Sequence, residues 1–425
     1  MTIKLVSLNI TLKVMQGIFA YLNIGFQSNS LTTSEFIYLS VIGNSIILSV
    51  FLDLGVGIQF IQNYFKQVKI KIVENEDVYA LKYLRKHISL FTFIACIQAL
   101  FISIYAAIFQ HNNIVTVNFG LVIITFCVAF FFNYGVLLSR ILIARGYVGE
   151  SVSFQAIGVL TQFVFTVFAF LVDLNLFAFL ITLALPNIIT AILSLKHLKK
   201  KSKLSTSYSN EVASDLIENN FSKRLIPKLQ FVQLLQFTIG TLPLLIFTSR
   251  AYGVGLIGLL IQWRIFTSVS ASLSALNSIE WRELTLAKTN YAKNLVKENK
   301  PLIRKLVLAF AISFPAVVIA NFTWKYLANS NEKTNLLTWI LWILYVLAQV
   351  YQWHFYYYLL SMSSYSHIIA GTFIQLFTTI TCLLFLSSDF MGTFPLSILI
   401  GLILSGLYFQ VRSSVLNSIN ADVDL

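Results

Sequence analysis

Apolar runs of about 20 residues, each bounded by short polar stretches, recur along the whole chain. Residues 88–109 are apolar on every side, without the in–out alternation of a barrel strand. Backbone polar groups in hydrocarbon must be satisfied inside a helix or a closed barrel, so uniform runs of this length predict helices. The pattern predicts twelve membrane-spanning helices, at 5–27, 36–61, 88–109, 117–138, 151–172, 176–195, 229–249, 254–276, 306–327, 336–360, 368–387 and 394–416. The fold class that follows is an all-α, polytopic membrane protein.

Composition strengthens this reading. The 425 residues are 57% hydrophobic and 11% charged, with a mean hydropathy of +0.78. A soluble domain spends about a quarter of its residues on charge, so this chain has too little to coat itself against water. Cys96, Cys127 and Cys382 all fall inside apolar spans, where they read as buried small hydrophobes and not as a disulfide framework. Asn9 and Lys13 interrupt the first run, and no A-x-A site follows it. This predicts a retained helix and not a cleaved signal peptide.

The net charge of +13 is distributed topologically and does not form a nucleic-acid-binding patch. One alternate set of loops holds Lys66, Lys69, Lys71, Lys82, Arg85 and Lys86, then Arg140 and Arg145, then a lysine-rich stretch from Lys196 to Lys228, then Arg282 to Lys305. The other set holds only Arg250, Lys325 and Lys333. The positive-inside rule places the first set in the cytoplasm, with both termini there too. The loops on the opposite side are short and leave no room for an external catalytic domain.

The connection 196–228 divides the chain into two six-helix halves, 1–195 and 229–425. A faint repeat accompanies this division. Span two, a basic segment and span three resemble span eight, residues 277–305 and span nine, with Leu84-Arg85-Lys86 and Ile303-Arg304-Lys305 before the re-entry points. Two related halves of this kind enclose a central substrate site in many transporters.

Ionisable groups inside spans cost at least about 2.5–3.5 kcal/mol at the bilayer centre, so they should face protein or water. Three stand out: Lys13 in span one, Asp53 in the inner half of span two and Arg264 near the centre of span eight. With pseudo-symmetric halves, spans one, two, seven and eight line the space between them, and all three charges face it. Two cations with few anions favour an anionic, phosphate-bearing ligand. The structural alternatives are snorkelling of Lys13 to the interface, an Arg264–Asp53 ion pair, and a packing or gating role for Asp53. Gln230, Gln233 and Gln236 share a face of span seven, and Gln349 and Gln352 lie in span ten among aromatic residues. Amides at these positions suit sugar hydroxyls, but they also bond helix to helix. Trp353, Tyr356, Tyr357 and Tyr358 read as an interfacial aromatic belt, and His354 as a lone histidine without chemistry.

Enzyme signatures are missing. The sequence contains no phosphate-binding loop, no paired carboxylates at an outer helix end, no metal-spaced Cys/His cluster and no nucleophile elbow. The chain is expected to be neither an enzyme nor dependent on a cofactor or metal.

Residues 31–66, LTTSEFIYLSVIGNSIILSVFLDLGVGIQFIQNYFK, resemble the second-helix region of the Wzx-type O-antigen flippases. These belong to the multidrug/oligosaccharidyl-lipid/polysaccharide (MOP) exporter superfamily. The shared features are a short L-t-x-x-e-f loop and a D-x-G-like helix end, here Asp53-Leu54-Gly55, with a looser echo at 252–283. The resemblance implies two six-helix bundles, a MATE/MOP-like fold, working by alternating access in a bacterial inner membrane. It implies a substrate of undecaprenyl-diphosphate-linked oligosaccharide, and a polysaccharide polymerase and chain-length proteins as partners. Related lipid-II flippases place diphosphate-binding cations on the first and eighth helices, where Lys13 and Arg264 stand. This chain has fewer such arginines and no additional C-terminal helices, which argues against a lipid-II flippase. The alternatives are a MATE-type drug/cation antiporter, which should carry acidic cavity residues, and a membrane polysaccharide polymerase, which needs a long outer loop.

Overall fold

The computed structural model describes residues 119–205, 225–250, 300–322, 336–362, 364–386 and 392–422, with shorter stretches and single residues between 19 and 104 and between 258 and 273. All regular structure among the described residues is helical. Eight long helices are complete: α1 Phe119–Ala144, α2 Val148–Leu171, α3 Leu176–Ser205, α4 Leu225–Arg250, α5 Lys300–Phe322, α6 Leu336–Ser361, α7 Tyr365–Phe385 and α8 Thr393–Asp422. Among the described residues, seven helices are long and apolar enough to cross a membrane. Their outward faces carry Phe168 and Leu171 on α2, Phe310 and Phe314 on α5, and Phe373 and Phe377 on α7, all more than half exposed. Apolar surface on this scale is stable only in lipid or against a partner. The chain is a multi-pass membrane protein.

Two compact units divide the chain, Met1–Gln233 and Leu234–Leu425, and the division falls within α4. Both units end in the same three-helix arrangement. In the first, α1 and α2 each pack along α3 and touch one another little; in the second, α6 and α7 each pack along α8 in the same way. Spans four to six are thus repeated in topology by spans ten to twelve.

Small residues allow these close approaches. Gly135 on α1 and Gly158 on α2 meet α3 at the adjacent residues Asn187 and Pro186. A Cβ at Gly158 would lie 2.5 Å from the Pro186 carbonyl oxygen and 2.8 Å from its Cα. Backbones in contact gain dispersion energy, which matters in lipid because helix association there has no hydrophobic driving force. Pro186 leaves the helix ladder one donor short. The Thr190 hydroxyl donates to the Pro186 carbonyl at 2.7 Å.

The helices overrun several sequence-derived bounds. α1 continues through Arg140 to Ala144, where the chain turns at Gly146 in the left-handed region with φ 85°. α3 carries its lysines onward to Ser205, and α5 starts at Lys300, so Arg304 and Lys305 are helical and not in a loop. Lysine is a good helix former, and hydrophobicity marks only the part of a helix that lies in lipid. Cys96 is exposed and not buried; Cys127 and Cys382 are half-buried, and all three are free thiols.

The L-t-x-x-e-f element has a plain mechanical role. Thr32 and Glu35 form a reciprocal capping box. The Thr32 N–H and hydroxyl donate to Glu35 Oε2 at 3.0 and 2.8 Å, and the Glu35 N–H donates to Thr32 Oγ1 at 3.4 Å. Leu31 and Phe36, at the flanking staple positions, are both buried.

Candidate functional site

Polar chemistry in the second unit concentrates along α6. Gln352, 6% exposed, uses both hydrogens of its amide, donating to Gln375 Oε1 on α7 at 2.6 Å and to Ser405 Oγ on α8 at 2.5 Å. From the adjacent position on α6, the Tyr351 hydroxyl donates to Gln410 of α8. Gly401 of α8 lies against Gln375 and Thr379, and Gly406 against Tyr351. Without glycine at these points the amides could not reach across, so close packing and the hydrogen bonds depend on each other. Tyr356 and Tyr358 are buried, with Tyr356 6.1 Å from the Phe409 ring of α8. They belong to the helix contact and not to an interfacial belt.

The other end of α6 holds the 258–273 segment. Trp342 is fully buried, donates its indole N–H to Gln262 Oε1 at 2.7 Å and stacks on Phe266 with centroids 5.4 Å apart and planes 6° apart. Trp263 lies 5.8 Å from Trp342 and 5.1 Å from Phe394 of α8. Gln262, Trp263, Ile265 and Phe266 are all buried. An indole N–H buried without an acceptor would carry a desolvation penalty, and Gln262 supplies that acceptor.

A third polar contact joins α5 to α6. The Lys305 Nζ lies 3.2 Å from His354 Nδ1, and the two residues are 8% and 6% exposed. The sequence reads His354 as a lone histidine, and the structure gives it Lys305 as a neighbour. Lys305 read as one more positive-inside lysine, and the two are 49 positions apart with no periodic relation.

In the first unit, Ser139 of α1 and Ser151 of α2 share a hydrogen bond at 2.8 Å, and Gln155 donates to Ser139 Oγ at 2.5 Å. Asn23, in span one, is 2% exposed, and neither polar atom of its side chain has a hydrogen-bond partner among the described residues. Phe19 and Phe26 on the same span pack on Phe163 of α2, at 4.8 and 6.4 Å between centroids. A buried amide in an apolar span is also costly, though less so than the charges singled out above, so Asn23 is open to the same argument.

Of the residues singled out by sequence, Lys13, Asp53 and Arg264 lie outside the described residues. Gln230 and Gln233 lie on α4, with side chains outside the description; Gln236 is half-buried on the same helix. Gln349 is half-buried on α6, and its Oε1 has no hydrogen-bond partner among the described residues. Gln352 is committed to α7 and α8 as above. Among the described residues, no three His, Cys, Asp or Glu side chains come together in a way that could hold a metal ion.

Two units ending in the same three-helix packing, with buried amides inside apolar helices, are the pattern to set against known folds. An outward-facing multidrug resistance MATE family transporter of the MOP superfamily superposes with TM-score 0.63 at 13% identity, over 97% of this chain and 96% of the other. The fold is that of the MATE transporters. An inward-facing structure of a multidrug resistance MATE family transporter matches with TM-score 0.61 at 12% identity, over 98% and 100% of the two chains. A mutant MATE crystal structure matches with TM-score 0.67 at 12% identity, over 97% and 96%. No family model matches the chain, and no curated protein does. Likeness therefore lies in the MATE-type architecture, which is retained while nearly nine residues in ten differ.

Proposed function

We propose that the chain is an alternating-access membrane transporter that turns undecaprenyl-diphosphate-linked oligosaccharide repeat units from the inner to the outer leaflet of a bacterial cytoplasmic membrane. The observation that carries the transport reading is the match over almost the full length of both chains to transporters of this fold in outward- and inward-facing states. In this reading the halves 1–195 and 229–425 rock about the linker 196–228, with both termini in the cytoplasm. The polymerase and chain-length proteins that use the flipped product are its partners.

The substrate class rests on charge. A diphosphate-linked sugar cannot enter hydrocarbon alone, because its charges and hydroxyls would lose their water. Lys13 and Arg264 supply cations for the diphosphate, Asp53 gates or couples to an ion, and the amides of Gln230, Gln233, Gln236 and Gln349 meet the sugar, while Gln352 is spent on the helix contact. The burial of Gln262, Trp263, Ile265 and Phe266, neighbours of Arg264 in the sequence, supports a protein-lined course for the described part of span eight. The polyprenyl tail remains in lipid.

Expression in a flippase-null strain, scored by surface polysaccharide, tests this. The wild-type chain should restore the polysaccharide, and R264Q and K13Q should cut it at least about tenfold, the loss of roughly 1.4 kcal/mol, at unchanged protein level. Full restoration by both variants would remove these residues from the mechanism. A second reading, export of cationic drugs, draws support from the multidrug resistance descriptions of the neighbouring structures. It predicts drug tolerance without polysaccharide rescue.

A further inference from the structure

We propose that Tyr408 and Arg412, near the end of α8, hold the phosphate of an anionic phospholipid whose acyl chains cover the exposed face of the same helix. The inference goes beyond the transport reading and depends on none of its cargo.

The pair is set by helix spacing. Tyr408 and Arg412 are four positions apart and so share a face of α8. Arg412 is exposed, and its guanidinium carbon lies 5.5 Å from the centroid of the Tyr408 ring. His367, at the start of α7, meets the Tyr408 hydroxyl at 3.3 Å through Nδ1, with the two ring centroids 6.4 Å apart. With the ring proton of His367 on Nδ1, the hydroxyl accepts there and keeps its own hydrogen for a phosphate oxygen. A guanidinium fork beside a hydroxyl donor suits phosphate geometry.

Two demands then fall on one molecule. Leu404, Leu407, Val411 and Val415 are exposed along α8 on either side of the pair, and such a surface on a membrane helix is covered by hydrocarbon. The guanidinium at the end of the same span calls for an anion. Helices α5, α6 and α7 carry no carboxylate, and α8 carries none before Asp422, roughly 15 Å further along its axis. Free phosphate would answer the cation and leave the apolar face bare. An anionic phospholipid answers both.

The first unit repeats the combination independently. Its last helix, α3, carries His197 and Lys201 at the same four-residue spacing. Tyr147, at the start of α2, meets the His197 ring edge-on at 4.8 Å, and the Lys201 Nζ lies 5.9 Å from the Tyr147 centroid. Tyrosine and histidine have exchanged helices, but the cation still stands one turn beyond the aromatic pair. Arg145, which has other contacts too, lies 5.6 Å from the same centroid. Glu150 also acts on His197, against Lys200 and Lys201, both exposed. With both termini in the cytoplasm, as proposed above, the ends of α3 and α8 lie in the inner leaflet, whose anionic lipids attract such cations.

The test uses the full chain in phosphatidylcholine vesicles, with Cys96, Cys127 and Cys382 replaced by serine and Leu404→Cys labelled with bimane. Leu404 lies two turns deeper than Arg412, roughly 12 Å, where mid-chain bromines reach it. Brominated phosphatidylglycerol, or brominated phosphatidylcholine as reference, is titrated in at low salt, and quenching gives the relative affinity of the two lipids at the label. Phosphatidylglycerol should be preferred at least about fivefold, the equivalent of roughly 1 kcal/mol for one cation near an anionic surface. R412Q should bring the ratio close to one, while R412K should retain most of it. Y408L keeps the charge but loses ring and hydroxyl, and should lower the ratio about twofold. R304Q removes an exposed cation from α5 and should leave the ratio unchanged. A wild-type ratio near one, or an undiminished ratio in R412Q, overturns the proposal. So does an equal fall in R304Q, which would mean diffuse attraction to a basic protein, or displacement of the lipid by millimolar inorganic phosphate, which would mean a soluble anion.

Discussion

Gln352 of α6 donates to Gln375 of α7 across 2.6 Å, and the same amide nitrogen holds Ser405 of α8. One side chain thereby ties together the three helices that repeat the α1–α3 arrangement. Such bonds between membrane helices contribute about 0.6–1.7 kcal/mol each, and removing one partner strands the other in an apolar interior. A double-mutant cycle with Q352L and Q375L, followed by thermal unfolding in detergent, should give a coupling of about 1 kcal/mol. Additive losses would mean that the two amides act separately.

Gly158 faces backbone atoms of Pro186 with no flexible side chain to give way. G158V should destabilise the first unit by about 1–3 kcal/mol or more, by forcing α2 off α3. The check is the melting temperature of the purified chain, alongside cross-linking of cysteines placed on α2 and α3. Unchanged stability would show that this approach is looser than the geometry gives.

The capping box at Thr32 and Glu35 predicts a local loss. T32A should cost about 1 kcal/mol, and T32A with E35Q little more, because the two side chains serve each other. Hydrogen exchange at the start of span two reads this directly, and strictly additive effects would contradict the reciprocal bond.

Trp342 is predicted to matter through Gln262. W342F keeps the stack on Phe266 but strands the Gln262 carbonyl in a buried site, at about 1–3 kcal/mol. W342F with Q262L should recover much of that loss. Thermal unfolding of the three variants decides it; a double variant worse than the sum of both singles would rule out the pairing.

Helices were legible in the sequence because lipid imposes a simple rule: about 20 apolar residues, whatever the tertiary partners. The runs at 336–360 and 368–387 reappear as α6 and α7 within a few residues. Ends were less legible, as at Lys300 and Ser205, because helices continue into water where hydropathy gives no signal. Partners were not legible at all. His354 and Lys305, or Tyr356 and Phe409, meet through the packing of separate helices, and no local period records that. Gln352 lay between two roles because an amide that can bond a sugar can also bond a neighbouring helix, and only the fold shows Gln375 and Ser405 waiting for it. Asn23 carries no charge and so gives no signal in the charge pattern, although a buried amide obeys the same reasoning.

Transport itself is tested most directly with the purified chain in proteoliposomes loaded with undecaprenyl-diphosphate-linked oligosaccharide. A membrane-impermeant lectin or glycosidase reports how much sugar faces the outside over time. The proposed function predicts exposure of the inner pool at least about tenfold faster than in protein-free vesicles, with the gain lost in R264Q. Exposure no faster than in protein-free vesicles, from a correctly folded chain, would contradict it.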